Sequence, residues 1–264
     1  MFESSVTSPR IFREIRRSGF PYPDDLIHCF VGGSELHGAK IGDTHDLDIY
    51  GVYVEPPELA LGLQDFEHFT WSTGGDHRRN TPDDVDITFY SLKKWATLAA
   101  KGNPTALHFL FAGDASHATW QIIQDGRPAF LARESAEQFL GFVKAQVQRV
   151  TGERGRGAKG QRPEIEEEFG YDTKAAMHSC RLLYECMELM QKGTITLPRP
   201  EKDLLIEIRK GCWSLERFLD EINRLCQMAE DAAKASQLPE SVDRQTISRL
   251  VAKAYLQHWT KSIV

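Results

Sequence analysis

The spacing of apolar residues changes partway along the chain. In the first third, short apolar runs favour strands at 26–31, 48–54, 66–71 and 84–90, the last two forming a pair. From Ser91 onward, apolar residues recur every three or four positions, which is the spacing of a helix with one buried face. The pattern predicts a β-rich first part and a helical second part.

Helices are predicted mainly after this change. One short helix is predicted after Ser8-Pro9, ending before Gly19. The later helical segments are predicted at 92–99, 107–111, 136–150, 175–190, 202–210, 215–235 and 242–259. The glycine- and charge-rich range 151–170 fits two interpretations equally, a phosphate-binding arm at Arg149 to Arg162 or a charged linker. We therefore predict an α+β fold, with an N-terminal α/β unit and small mixed β-sheet at 1–113 and a helical unit at 114–264.

The composition is that of an ordinary globular protein. Of the 264 residues, 41% are hydrophobic and 27% are charged, and the net charge of −6 argues against a nucleic-acid footprint over the whole surface. Five cysteines without a Cys-x-x-Cys motif make a disulfide framework or a zinc ribbon a poor fit. We find no signal-peptide pattern and no apolar run of the roughly 20 residues that a membrane span needs. These features predict a cytoplasmic protein without a membrane partner.

Three aspartates provide the candidate chemistry. Asp46 and Asp48 alternate with one leucine at the start of a predicted strand, so both carboxylates extend from one face. Two such charges are unfavourable together unless a cation lies between them or one carboxyl is protonated. Asp86, flanked by apolar β-branched residues, is the candidate third ligand, whereas Asp83 and Asp84 are expected to face water. Oxygen ligands favour Mg²⁺, and two ions would activate an attacking hydroxyl and stabilise a leaving pyrophosphate.

A glycine turn precedes these carboxylates. Gly32-Gly33-Ser34 follows an apolar run, and the backbone amides of such a turn can hold phosphate oxygens. The alternative is that the glycines form only a tight turn and that the aspartates are surface strand ends. The combination of the turn, an Asp-x-Asp pair and a third aspartate within a strand favours the phosphate and metal site.

These motifs resemble those of the DNA polymerase β-type nucleotidyltransferase superfamily, and within it the minimal predicted nucleotidyltransferases called RNA-ligase-associated. The resemblance extends over roughly Phe30 to Gly211. The matching segments are Gly33-Ser34, His37-Gly38, His45 to Pro57, Asp86, Tyr90 to Pro104, Tyr171 to Lys174, His178, Arg181 to Leu183 and Gly193. His45 and His108 depart from the family pattern, which commonly has serine and glutamate there, but neither departure removes a metal ligand.

The resemblance implies an enzyme that moves a nucleoside monophosphate from a nucleoside triphosphate, such as ATP, to an acceptor hydroxyl. It implies two magnesium ions, with Mn²⁺ as the alternative, and a helical unit that closes the nucleotide cleft. Asp46 and Asp48 would bind both metals, and Asp86 would bind the catalytic metal and help take the acceptor proton. Gly33 and Ser34 would hold the triphosphate.

A second group of residues is predicted to bind substrate from the helical part. Lys174, His178 and Arg181 lie four and then three residues apart, on one face of a helix. They would contact phosphate or acceptor, and the alternative is a solvated basic edge. His37, close to the glycine turn, would contact phosphate or serve in capping and packing.

The sequence leaves the acceptor open. An RNA end is the leading prediction, with an RNA-repair partner such as a ligase. Modification of a protein or small molecule is the rival among transferases, and water as acceptor would make a phosphohydrolase. A non-catalytic nucleotide-binding module is the remaining alternative, although it would gain nothing from three clustered carboxylates.

Overall fold

Four described strands build one mixed sheet in the computed structural model, which describes residues 9–42, 47–74, 84–113, 116–153 and 163–262. The strands are β1 Leu26–Val31, β2 Leu47–Tyr53, β3 His68–Ser72 and β4 Val85–Ser91. Their order is β1-β2-β4-β3, in which β2 and β4 run parallel and the two outer pairs are antiparallel. The predicted strands, the pairing of the last two and the α+β fold are confirmed.

The helices follow the predicted apolar spacing, with three additions. The described helices are α1 Pro9–Arg17, α2 Gly33–Leu36, α3 Pro57–Ala60, α4 Leu92–Ala99, α5 Pro104–His108, α6 Ala118–Asp125, α7 Ser135–Val150, α8 Pro163–Phe169, α9 Thr173–Lys192, α10 Lys202–Arg209, α11 Leu215–Ala235 and α12 Arg244–Ser262. Sequence analysis missed α3, α6 and α8. Neither interpretation of 151–170 included α8, where glutamates in the first turn suit the positive end of a helix dipole. Residues 154–162, which include most of the predicted basic arm, lie outside the described residues.

The sheet separates an apolar face from a polar one. Alternate residues of β2 and β4, including Ile49 and Phe89, are buried together with Ile11 and Ile15 of α1. The residues between them, including Asp48 and the half-buried Asp86, extend from the opposite face because strand side chains alternate. The candidate chemistry therefore lies on the face that α1 does not cover.

Helix α9 is the central element of the helical part and is buried along most of its length. The side chain of Asp172 accepts a hydrogen bond from the backbone N–H of Ala175 at 2.9 Å, which caps the first turn. Gly193, with φ of +64°, ends the helix in the left-handed conformation that glycine adopts readily. Helices α7, α10 and α11 pack around α9, and Lys174, His178 and Arg181 of α9 line a cavity together with Asp48 of the sheet.

Side chains from both sides of residue 113 share one hydrophobic cluster, which includes Ile27 of β1 and Tyr255 of α12. Helix α12 also returns to the first part through polar contacts. The Tyr255 hydroxyl donates to the Glu55 carboxylate at 2.5 Å, and Trp259 Nε1 donates to the Glu55 carbonyl at 2.9 Å. The division at residue 113 stays a prediction. None of the described helices combines the length and apolar character that crossing a bilayer requires.

Candidate active site

Asp48 and Asp86 lie side by side on the two parallel strands. They are register partners in the pairing of β2 with β4, so their carboxylates extend from the same face. Ser72 of β3 is the register partner of Asp86 on its other side. The predicted proximity of these two aspartates is therefore found in the structure. Asp46, the remaining predicted ligand, lies outside the described residues.

The glycine turn touches the Asp48 carboxylate. Gly33 has φ of +59°, and a Cβ atom added to it would lie 1.8 Å from Asp48 Oδ2. A Cβ atom on Gly32 would lie 2.3 Å from the ring of Tyr50. The backbone N–H of Gly32 donates to the Asp48 carbonyl at 2.7 Å. Only glycine allows the backbone to approach the carboxylate this closely, which gives the two glycines a physical reason beyond a tight turn.

A first cavity of about 370 Å³ lies between this turn and the helical part. Its floor and near wall come from β1, β2 and α2, and its far wall comes from α9 and α10. The predicted substrate-binding residues Gly33, Ser34, His37, Lys174, His178 and Arg181 all line it, as does Asp48. Arg209 of α10 also lines it and was missed by sequence analysis.

A second cavity of about 490 Å³ lies on the other side of Asp48, toward β3. Asp86 lines it together with the hydroxyl-bearing residues Thr70, Ser72 and Thr88. Asp48 and its neighbour Tyr50 line both cavities. The carboxylate of Asp48 thus lies where the two spaces meet.

Charges of opposite sign face each other across the first cavity. Lys174, Arg181 and Arg209 supply cations from the helical wall, and Asp48 supplies an anion from the sheet. Burial, followed by the negative charge of Asp48, raises the pKa of Tyr50 to about 12. The Tyr50 hydroxyl therefore stays protonated near neutral pH and can donate a hydrogen bond.

A buried cluster of four polar side chains surrounds the guanidinium of Arg181. Arg181 Nη1 donates to Glu185 Oε1 at 2.8 Å and to His37 Nε2 at 3.0 Å. His108 Nε2 donates to the other oxygen of Glu185 at 3.0 Å. Glu185 is fully buried, and the three other residues are less than 10% exposed. The cluster joins α2, α5 and α9, and His37, His108 and Arg181 also line the first cavity.

The ionisation states in this cluster follow from its contacts. Burial opposes ionisation of Glu185, but the Arg181 guanidinium and His108 together outweigh it and hold the pKa of the carboxyl well below its usual range. Burial, with Arg181 as the next cause, lowers the pKa of His37 far below its usual value. His37 is therefore neutral, and its acceptance of a hydrogen bond at Nε2 places its proton on Nδ1.

Two groups of residues have the composition of a metal site. Ligand atoms of His37, His108 and Glu185 lie within 4.8 Å of one another. The Arg181 guanidinium, however, already balances the charge of Glu185 and bonds to two of these three side chains. Asp48 and Asp86 offer only oxygen donors, on adjacent strands, and the missing side chain of Gly33 makes room for Asp48 Oδ2 itself. These two carboxylates fit Mg²⁺ or Mn²⁺, which prefer oxygen ligands.

One local prediction was wrong, and one feature of the structure was not predicted. Asp84 was expected to face water, but it is only 5% exposed and accepts a hydrogen bond from Thr73 Oγ1 at 2.6 Å. The buried cluster below Arg181 was also missed. One signal for it was present, because Glu185 lies four residues after Arg181 on the same helix face. The contacts with His37 and His108 join segments too distant in sequence to be predicted from spacing.

The chain is similar to a known protein family over most of its length. The sequence model of a family described as "RNA repair pathway DNA polymerase beta family" matches residues 8–260. That range includes both walls of the first cavity.

Two individual proteins are also similar. An uncharacterised 38.9 kDa protein of Enterobacteria phage T4, from the nrdC-mobD intergenic region, is 31% identical over 136 residues, which cover 49% of this chain and 38% of the phage protein. The match thus spans less than half of that relative. A crystal structure of a nucleotidyltransferase-like protein from Exiguobacterium sibiricum aligns with 96% of this chain and 78% of its own, at 12% identity and a TM-score of 0.31. At that TM-score the likeness is weak.

Proposed function

We propose that this protein, which belongs to the RNA repair pathway DNA polymerase beta family, transfers a nucleoside monophosphate from a nucleoside triphosphate to an acceptor hydroxyl. The observation that carries the proposal is the position of Asp48 between two cavities. One cavity has cations on its far wall, and the other is lined by Asp86 and hydroxyl groups. A transferase needs such an arrangement, with donor and acceptor meeting at one reacting centre.

The donor triphosphate occupies the first cavity in this proposal. Lys174, Arg181 and Arg209 face its phosphates, and their charges offset the negative charge that the donor brings. Gly33 and Ser34 line the same space, and the backbone N–H groups of such a glycine turn can hold phosphate oxygens. His37 and His178 complete the polar lining.

The acceptor occupies the second cavity. Its hydroxyl oxygen attacks the α-phosphorus of the donor, a new P–O bond forms, and the bond between the α-phosphorus and the bridging oxygen breaks. Pyrophosphate leaves with the electron pair of that bond. Asp86, on the acceptor side of Asp48, receives the proton of the attacking hydroxyl.

Asp48 and Asp86 would hold Mg²⁺ or Mn²⁺, as would Asp46. When bound, the ions would supply electrostatic stabilisation of the negative charge on the phosphate oxygens. The rest of the site orients the two substrates and excludes water from the buried part of the first cavity.

We assign the acceptor to an RNA end, with a ligase as the partner enzyme in repair. The family description supports this assignment, since it names an RNA repair pathway. The hydroxyl-lined second cavity is compatible with a ribose. Nucleotidylation of a protein or a small molecule is the second candidate, and the net charge of −6 favours it over a broad nucleic-acid surface.

The test is a transfer assay with each α-labelled nucleoside triphosphate, Mg²⁺ or Mn²⁺, and matched RNA, DNA, protein and small-molecule acceptors. We expect metal-dependent label transfer to RNA with release of pyrophosphate. Asp86→Asn should abolish transfer, because the variant lacks the carboxylate that binds the metal and takes the proton. Asp65→Asn, in an exposed loop, is the matched control and should leave transfer unchanged.

Each outcome discriminates between the candidates. Label on protein or on a small molecule alone would replace the RNA acceptor while keeping the transferase. Nucleotide binding without transfer to any acceptor would support a non-catalytic binding module. Release of phosphate with water as the acceptor would support a phosphohydrolase.

A further inference from the structure

The nitrogen atoms of the Arg181 side chain differ in their hydrogen bonds. Nη1 is fully used, since it donates to Glu185 and to His37. Nε is buried, and no described atom accepts a hydrogen bond from it. Arg181 also lines the first cavity. The Nη1 contacts therefore anchor the guanidinium while the same side chain lines the cavity, so the cation is positioned to face a ligand there.

We propose that Glu185, supported by His108 and His37, is a positioning residue that fixes the Arg181 guanidinium for the phosphates of the donor. This inference rests on the proposed function, because it takes the ligand of the first cavity to be a triphosphate. Glu185 does not line the cavity and acts only through Arg181.

Each member of the cluster has a distinct part in this positioning. Glu185 balances the charge of the Arg181 guanidinium by supplying the opposite charge at 2.8 Å. His37 receives the second hydrogen of Nη1, so that the guanidinium plane is held from two directions. His108 Nε2 donates a hydrogen bond to the second carboxylate oxygen of Glu185, Oε2, and prevents the carboxylate from rotating away.

A structural role alone explains the cluster less well. A buried ion pair contributes little net stability, because removing two charges from water offsets most of their attraction. Apolar side chains at the same positions would fill this space without that desolvation. Arg181 of this pair also lines the first cavity with Lys174 and Arg209, where an oriented cation has a ligand to bind.

Helix α9 contains a second buried glutamate in an ion pair, Glu188, one turn after Glu185, and this residue serves as the matched control. Glu188 is 8% exposed and bonds to Arg199 Nη1 at 2.6 Å, and Arg199 is only 2% exposed. This ion pair resembles the first in burial and chemistry. Neither residue lines the first cavity. A change in Glu188 therefore reports the structural effect of losing a buried carboxylate charge on α9.

The experiment compares Glu185→Gln with Glu188→Gln by binding and by kinetics. Binding is measured by titration calorimetry with a non-hydrolysable nucleoside triphosphate and, separately, with inorganic tripolyphosphate. We expect Glu185→Gln to weaken both ligands by about tenfold or more, in line with the loss of an oriented charge-assisted contact. Glu188→Gln should bind both like the wild type, even though its unfolding midpoint falls. In the transfer assay, Glu185→Gln should raise KM for the donor more than it lowers kcat.

A double-mutant cycle tests whether Glu185 acts through Arg181. In an Arg181→Gln background, Glu185→Gln should cause no further loss of tripolyphosphate affinity, because the guanidinium that it positions is absent. Equal additional losses in both backgrounds would overturn the proposal. If Glu185→Gln does not fold, His108→Gln and His108→Leu take its place. The glutamine amide can replace the His108 Nε2 donor and should retain affinity, whereas leucine should reduce it.

The remaining outcomes separate this proposal from the proposed function. If the wild type binds neither ligand, the triphosphate assignment of the cavity fails. If the wild type binds both and Glu185→Gln binds equally well, the positioning role fails while the function stands. Purified protein that contains stoichiometric zinc, lost in Glu185→Gln, would show that His37, His108 and Glu185 form a metal site and would overturn the proposal.

Discussion

Gly33 shows how a single residue position can combine a backbone requirement with a contact. Its φ of +59° costs an ordinary residue about 1–2 kcal/mol, and its missing Cβ leaves space for Asp48 Oδ2. Gly19 has a similar φ of +75° but no heavy atom within 4 Å of the position of a Cβ. Both glycines therefore avoid the backbone strain of a positive φ, but only at Gly33 would a Cβ atom also meet another side chain.

We predict that Gly19→Ala loses about 1–2 kcal/mol of stability in urea unfolding, from its positive φ, and that Gly33→Ala loses more because its methyl group also meets the Asp48 carboxylate. Only Gly33→Ala should also lose transfer activity, by about a hundredfold or more, because its methyl group displaces the Asp48 carboxylate. Steady-state kinetics of the two variants provide the check. Comparable activity in both would mean that the contact with Asp48 is unimportant.

Arg209 makes a second residue-scale prediction. It lines the first cavity, whereas its neighbour Lys210 is exposed. Arg209→Gln should raise the donor KM by about tenfold, since one charge-assisted contact to phosphate is lost, and Lys210→Gln should leave it unchanged. Donor titrations at saturating acceptor measure the difference. An equal rise in both variants would indicate a general charge effect instead of a specific contact.

The buried His37 predicts a pH dependence of stability. Its pKa in the folded protein lies far below the ordinary value of 6.5, mainly through burial, so only the unfolded chain takes up this proton between about pH 6.5 and 4.5. The free energy of unfolding should therefore fall as the pH drops through that window, by up to about 1.4 kcal/mol per pH unit from this residue. The lowered pKa of Glu185 acts in the same direction, but only at lower pH.

Urea unfolding from about pH 7 to about pH 5 tests the contribution of His37. His37→Asn should show a shallower loss of stability than the wild type across this range, because the variant has no imidazole to titrate. Parallel curves for the two proteins would contradict the assignment of a neutral His37.

At the scale of elements, the spacing of apolar residues predicted the features that depend on residues close together in sequence, such as the shared faces of strands and helices. The alternation in β2 and β4 placed Asp48 and Asp86 on one face, and the spacing in α9 placed Lys174 and Arg181 together. Helix α8 was missed because its glutamates and the preceding glycines resemble a linker, and over 164–169 it buries a single apolar residue, Ile165. Asp84 was misjudged because no sequence pattern shows that the Thr73 hydroxyl reaches it.

A hydrogen bond between helix α12 and the segment after β2 leads to a testable prediction at the scale of elements. Tyr255 donates to Glu55, which is only 4% exposed, and so ties α12 to the segment after β2. Tyr255→Phe should lower the free energy of unfolding by about 1–3 kcal/mol, because a buried carboxylate loses a hydrogen bond. Donor affinity should be unchanged, since neither residue lines the first cavity.

A double-mutant cycle with Glu55→Gln, followed by urea unfolding, checks the origin of this loss. The two substitutions should be strongly non-additive if the hydrogen bond accounts for it. Additive losses would show that Tyr255 stabilises the protein through packing alone.

At the scale of the whole molecule, the first cavity depends on contacts that spacing cannot predict. Its near wall comes from residues 30–50 and its far wall from residues 174–209, and about 120 residues separate the two in sequence. The shared helix face of Lys174, His178 and Arg181 was predictable, but its position opposite the glycine turn depends on how α9 packs against the sheet. The resemblance to a known family supplied that expectation, and the described residues agree with it.

The meeting of the two cavities at Asp48 has a kinetic consequence. The first cavity lies toward β1 and the second toward β3, so in the proposed reaction each substrate would occupy its own side of the β2 carboxylate. Neither substrate has to leave before the other enters, and both must be present when the reaction occurs. Initial-rate plots at several acceptor concentrations should therefore intersect, as in a ternary-complex mechanism. An acceptor analogue that cannot react should leave the donor dissociation constant unchanged, since the two substrates bind without competing for space.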